Sequence, residues 1–223
     1  MFLLVFVTGS FVSGKALSGT TNWWTIVATI VNIVTIALLV LAAKKNGMTY
    51  LELIGYKKGS TKIRQIVLMS VIILALGTVG MYIAGFICYG VIPYASPMMI
   101  EPIPKILAIL NFIPLPITTA LAEDGLYLGC GVNHIGNKAF AIAVPAFFYA
   151  LQHCFIPTLF DPRYMVYRFL SFLPLTVILC WYYHKKRNPV PVMVGHALID
   201  MMTVCWVLAT SLDPSFYDKM LNL

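Results

Sequence analysis

Charge is what this chain has least of. Charged side chains make up 10% of its 223 residues, with only eight acids among them, where a soluble domain carries about a quarter. That scarcity excludes an ordinary water-soluble domain. Cysteine frameworks are missing as well. Cys88, Cys130, Cys154, Cys180 and Cys205 form no C-x-x-C pair, which leaves no zinc-ribbon, redox-dithiol or secreted-disulfide pattern. They read as buried thiols acting as small apolar side chains. Neither H-E-x-x-H, the short alternating segments of a membrane barrel, nor the repeated halves of many transporters is present.

Hydrophobic residues, by contrast, reach 60%, and mean hydropathy is +0.88. They fall into continuous runs, 25–43, 66–89, 105–132, 139–156, 165–183 and 190–210, each near the ~20 residues a spanning helix needs. Lipid offers no partner to free backbone groups, so such runs predict helices. The expected fold is all-α, one polytopic transmembrane bundle over 1–223 with about six to seven spanning helices. The seventh is the apolar stretch 1–14, which reads equally as a signal-peptide core.

The net charge of +7 sits between these runs, which argues for a membrane topology signal and against nucleic acid as partner. Lys44, Lys45, Lys57, Lys58, Lys62 and Arg64 face a single Glu52 in the loop 44–65. That loop is expected to be cytoplasmic, and alternation puts Lys138 and Lys185–Arg187 on the same side. The stretch 90–104 is then an outer loop and 211–223 an outer tail. Within 44–65, Met48–Tyr56 reads as a short helix on the membrane surface. The bilayer is thus one expected partner, and a cell membrane the expected location.

Against this background the polar residues inside the runs stand out. Glu123 and Asp124 are adjacent within 105–132, His153 lies in 139–156, and His196 and Asp200 lie in 190–210. An ionisable group in hydrocarbon costs a few kcal/mol, so each marks a candidate functional site. Residues four apart share a helix face. Hence His196 is expected with Asp200, Tyr149 with His153, and Glu123 with Thr119 and Tyr127. Glu123 and Asp124 differ by about 100° around an α-helix, so one should face the site and the other a neighbouring helix. At a 1.5 Å rise, Glu123, His153 and His196 lie roughly 15, 20 and 10 Å from their inner helix ends, compatible with one cluster. Pro114 and Pro116 should kink or restart the helix near Pro116. Gly125-x-x-x-Gly129 reads as a close-packing face. A carboxylate with two histidines suits a zinc site, a proton relay, or a hydrolase in which Glu activates water. Composition does not choose among these.

The motifs Glu123-Asp124-x-x-Tyr127-x-Gly129, Tyr149-x-x-x-His153 and His196-x-x-x-Asp200, in successive apolar runs, resemble the CPBP family of CAAX prenyl proteases and bacteriocin-processing or bacteriocin-immunity (Abi) membrane proteins. The family-like core covers about 104–210. The resemblance implies a membrane-embedded glutamate endopeptidase that uses no metal or other cofactor. Its substrate would be a membrane-associated peptide or protein. Carried over, Glu123 with His153 would activate water, and His196 with Asp200 would stabilise the oxyanion. Asp124, Tyr127 and Tyr149 would support them. The departure that bears most on activity is in the first motif, and the other changes are mild or within the family's pattern. The family usually has Glu-Glu-x-x-x-Arg, with the second acid paired to the arginine, and here those positions are Asp124 and Leu128. Phe is typical where Tyr127 and Tyr149 stand, and Asn is common where Asp200 stands. A weakly active or inactive member, acting as an immunity or regulatory partner in the membrane, is the alternative.

Overall fold

A computed structural model describes residues 1–92 and 96–221. Residues 93–95 of the expected outer loop, and the last two of the expected tail, lie outside the described residues. The described residues contain helices and no strand: α1 (Phe2–Ser13), α2 (Trp24–Lys45), α3 (Tyr50–Leu53), α4 (Ile63–Tyr89), α5 (Lys105–Asn111), α6 (Pro114–Asp124), a π-helix (Gly125–Val132), α7 (Lys138–Gln152), α8 (Pro162–Lys186), α9 (Val190–Leu212) and α10 (Pro214–Leu221). Helix ends follow local chemistry. The Asn137 side chain caps α7 by accepting from the Ala139 amide at 2.9 Å, and Asp161 caps α8 through the Arg163 amide at 2.9 Å, each satisfying a donor without an intrahelical partner.

Among the described residues, four helices are long and apolar enough to cross a membrane, and five if the bent pair of α5 with α6 and the π-helix counts as one span. The bend is 49°. The helix restarts at Pro114, close to Pro116 as expected, because Pro114 has no N–H to continue the α5 ladder and fits the first position of α6. The run 139–156 gives a shorter helix, 15 residues, ending at Gln152. Pro157 disfavours helix in the residue before it, and 153–156 fold into turns closed by Cys154 N→Leu151 O and Phe155 N→Gln152 O. The N-terminal stretch is likewise a 12-residue helix, whose Phe2 and Phe6 pack with Trp24, Ala28 and Val31.

In cross-section, α6 with its π-helix, α9, α4, α8 and α7 pack each on the next and close a ring, with α2 outside against α6. Polarity is inverted relative to a soluble domain. Asn32, Thr119, Glu123, Arg168, Ser171 and His196 are buried, while Ile30, Leu41, Val71, Ile83, Phe86 and Leu198 are exposed. So large an apolar exterior is what a lipid-facing surface presents. Together these features describe an all-α membrane bundle. Two cysteines, Cys154 and Cys180, are buried as expected, whereas Cys205 is exposed, since it lies on the outward face of α9.

The helix expected on the membrane surface, α3, docks against the bundle. Tyr50 Oη donates to the Leu121 carbonyl at 2.5 Å, and Asn133 Nδ2 donates to the Leu53 carbonyl at 3.1 Å. Polar partners inside the bundle draw it in. The approach needs the glycines of the π-helix. A Cβ on Gly125 would lie 2.7 Å from Tyr50 Oη, and one on Gly129 would lie 3.2 Å from Ile54 Cγ2. The close-packing reading of Gly125 and Gly129 holds, and the partner is α3.

A candidate active site of carboxylates and histidines

The π-helix begins one residue after the acidic pair. Such i→i+5 segments are rare and often lie at functional sites. Here it changes the register after Asp124. Tyr127 stacks on Tyr149, with ring centroids 4.4 Å apart and planes 13° apart, and its hydroxyl donates to Gln152 Oε1 at 2.9 Å. Leu128, where the family resemblance would place arginine, is fully buried in a core cluster with Met69, Ile73, Tyr149 and Tyr183.

Glu123 from α6, His153 at the end of α7 and His196 from α9 do meet. Glu123 Oε2 lies 4.0 Å from His153 Nε2 and 3.8 Å from His196 Nε2, and Asp200 Oδ2 lies 3.7 Å from the same His196 nitrogen. These spacings exceed a direct hydrogen bond, and neither Glu123 Oε2 nor Asp200 Oδ2 has a hydrogen-bond partner among the described residues. Two hydrogen bonds of about 2.8 Å meeting near a right angle span about 4 Å, so one water-sized oxygen fits between Glu123 and either ring.

Asp124 turns to neighbouring helices, α7 and α9, but stays at the same cluster. It is fully buried, and its Oδ2 lies 3.4 Å from His196 Nδ1. The two adjacent acids therefore take opposite edges of one imidazole. An angular offset of about 100° is bridged because the ring stands between them. Tyr149 completes the arrangement. Its hydroxyl donates to Asp124 Oδ1 at 3.1 Å and lies 3.0 Å from His196 Nδ1. A phenol has one proton to give. With that proton on Asp124, the phenol oxygen accepts from His196 Nδ1–H. His196 then presents Nε2 to Glu123 and Asp200.

His153 has the matching tautomer. Its Nδ1 lies 2.8 Å from the Tyr149 carbonyl, and a carbonyl can only accept, so Nδ1 carries a proton. In the neutral ring Nε2 keeps its lone pair toward Glu123. Glu123, His153, His196 and Asp200 all line one cavity of about 430 Å³, whose wall is otherwise largely apolar, including Ile73, Met81, Leu115, Phe172 and Trp206. Its lining extends to Met99 and Ile100. Among the described residues no group of three or more His, Cys, Asp or Glu side chains is arranged to hold a metal ion. His134 is exposed and bonded to the Cys130 carbonyl at 2.8 Å, away from this cluster.

Sequence reasoning overlooked Arg168. It is buried, lines the same cavity, and donates from Nε to the His153 carbonyl at 3.3 Å and from Nη2 to the Ile156 carbonyl at 3.1 Å. Its signal was available as a lone cation inside the apolar run 165–183, where a charge is costly by the same reasoning that singled out Glu123.

A membrane helix bundle with a buried carboxylate–histidine cluster facing an apolar cavity is thus the class that fold and site define. Residues 105–202 match the family described as type II CAAX prenyl endopeptidase Rce1-like. The segment carrying all three motifs is accordingly similar to the CAAX-protease family that those motifs resemble. No curated protein and no solved structure matches the chain.

Proposed function

We propose that the protein is an intramembrane endopeptidase of the CAAX prenyl protease type, cleaving a peptide bond in a membrane-associated peptide or protein. The observation that carries this reading is the convergence of Glu123 with the Nε2 atoms of His153 and His196 on an apolar cavity. A water held between Glu123 and His153 loses its proton to the carboxylate as its oxygen attacks the scissile carbonyl. The proton is then available for the departing amine. The oxyanion formed needs an N–H donor. His196 Nδ1 is already a donor, so an N–H at Nε2 as well makes the ring an imidazolium. Asp124 is the counter-ion to that charge, both directly and through Tyr149. Asp200, 3.7 Å from Nε2, supports the imidazolium rather than meeting the oxyanion itself.

A lipidated or strongly apolar substrate suits the cavity, whose lining is mostly hydrocarbon. The basic loop 44–65 and Lys185–Arg187 are assigned to the cytoplasmic face of a cell membrane on charge placement. The inactive or immunity-partner alternative drew on Asp124 having lost its arginine. The partners that Asp124 has in Tyr149 and His196 support the active reading instead. The test is cleavage of a prenylated peptide by the full-length protein in lipid nanodiscs. Glu123→Gln keeps shape but removes the base, and activity should fall at least about 100-fold. Full retention of cleavage would sink the proposal.

A further inference from the structure

We infer that Arg168 and Phe172 of α8 form a clamp that holds the His153 imidazole in the plane and tautomer facing Glu123, making them positioning residues for the reaction. This rests on the reading of His153 as the partner of Glu123, but the arrangement itself can be tested without turnover. His153 lies just beyond the last residue of α7, Gln152, so the helix ladder does not hold its backbone on the C-terminal side. Arg168 reinforces the turn bond made there, from the Ile156 N–H to the His153 carbonyl at 3.3 Å. Its Nε–H and Nη2–H bind the carbonyls of His153 and Ile156, at 3.3 and 3.1 Å, on either side of the turn.

The side chain is fixed from two directions. Nδ1–H donates to the Tyr149 carbonyl one turn earlier, and Phe172 stacks on the imidazole with centroids 3.7 Å apart and planes 15° apart. Arg168 reaches this contact too, with its Cζ 4.8 Å from the Phe172 centroid. Arg168 and Phe172 are four apart on α8, hence on one face. One guanidinium therefore touches both the backbone of His153 and the ring that stacks on its side chain. No carboxylate of the described residues lies within ion-pair distance of Arg168. A buried guanidinium is costly. A purely structural helix cap could be served by a neutral donor, whereas Arg supplies the planar fork and the charge that binds an aromatic face.

Selective ¹⁵N-histidine NMR of the full-length protein in micelles tests the clamp, since the chain has four histidines and His153→Gln identifies the resonances of one. In the wild type His153 should show a single Nδ1–H tautomer. In Phe172→Leu and in Arg168→Gln the ratio of Nδ1–H to Nε2–H should fall about fivefold, the factor that one aromatic contact confers. His134 and His196 should keep their signatures. Phe172→Tyr, which preserves the stack, should restore the wild-type ratio. If Arg168→Gln does not fold, Phe172→Leu decides alone. A folded Phe172→Leu protein with the wild-type ratio would overturn the inference and leave Arg168 as a helix cap only. Because cleavage is not measured, that failure is distinct from retained activity in Glu123→Gln.

Discussion

Replacing Tyr149 by Phe removes one oxygen atom and nothing else, and the oxygen is the one that joins Asp124 to His196. The hydroxyl is 3.1 Å from Asp124 Oδ1 and 3.0 Å from His196 Nδ1. The ring would keep its stack on Tyr127, so packing is preserved and the polar loss is isolated. A hydrogen bond to a charged group contributes about 1.5–3 kcal/mol. Tyr149→Phe should therefore cost about 2 kcal/mol of folding free energy, and it leaves Asp124 Oδ1 buried without a donor. Asp124→Asn alone should also destabilise, by weakening the contact with His196. In the Tyr149→Phe background, however, Asp124→Asn removes a carboxylate that has already lost its donor, so its cost should shrink. The coupling in the double-mutant cycle should exceed about 1 kcal/mol. Equilibrium unfolding in mixed micelles titrated with sodium dodecyl sulfate measures all four proteins. Additivity within about 0.5 kcal/mol would refute the idea that Tyr149 serves Asp124.

Leu128→Arg, which restores the residue usual in the family, should destabilise by about 3 kcal/mol or more, because the side chain enters a filled core and Asp124 is already engaged; a gain in stability on the same titration would show that Asp124 still needs a cation. A Cβ on Gly80 would collide with the Ser171 carbonyl, so Gly80→Ala should loosen the α4–α8 contact and cost about 1–3 kcal/mol, read as a lower unfolding midpoint. Outside the membrane, the backbone N–H and then the hydroxyl of Thr49 hold the Glu52 carboxyl below its usual range. The contribution is thus present above the unfolded value near 4.3 and is lost as pH falls through the lower folded value. Amide exchange at 52–54, compared with that in Glu52→Gln, should show protection at pH 6 that disappears under strong acid.

The helices and the convergence of Glu123, His153 and His196 were legible because each depends on a one-dimensional signal. An apolar run of about 20 residues implies a span, and an ionisable group inside it implies a partner. What stayed illegible depended on register or on a distant donor. The face relation between Glu123 and Tyr127 assumed an α-helix throughout, and the π-helix from Gly125 redirects Tyr127 to Tyr149 and Gln152. Docking of α3 was hidden because Tyr50 finds its acceptor at Leu121, far along the chain. Arg168, a cation inside the run 165–183, was legible by the rule that found Glu123.

Asp124 shows why two substitutions that look separate in sequence belong together. Judged along its own helix, the residue has lost its arginine, because Leu128 stands one turn later. Judged in space, its donor comes from α7, as the hydroxyl by which Tyr149 differs from the usual Phe. Relative to the pattern those motifs resemble, a neutral donor on α7 stands in for a charged one on the same helix, and Leu128 lies in the core. The exchange has a consequence for His196. An arginine brings a positive charge to the second acid, whereas a tyrosine brings only a neutral donor. The substitutions that made this chain look impaired are therefore the ones that set a carboxylate against His196 Nδ1, which supports the reading of its Nε2 as the oxyanion donor of the proposed mechanism.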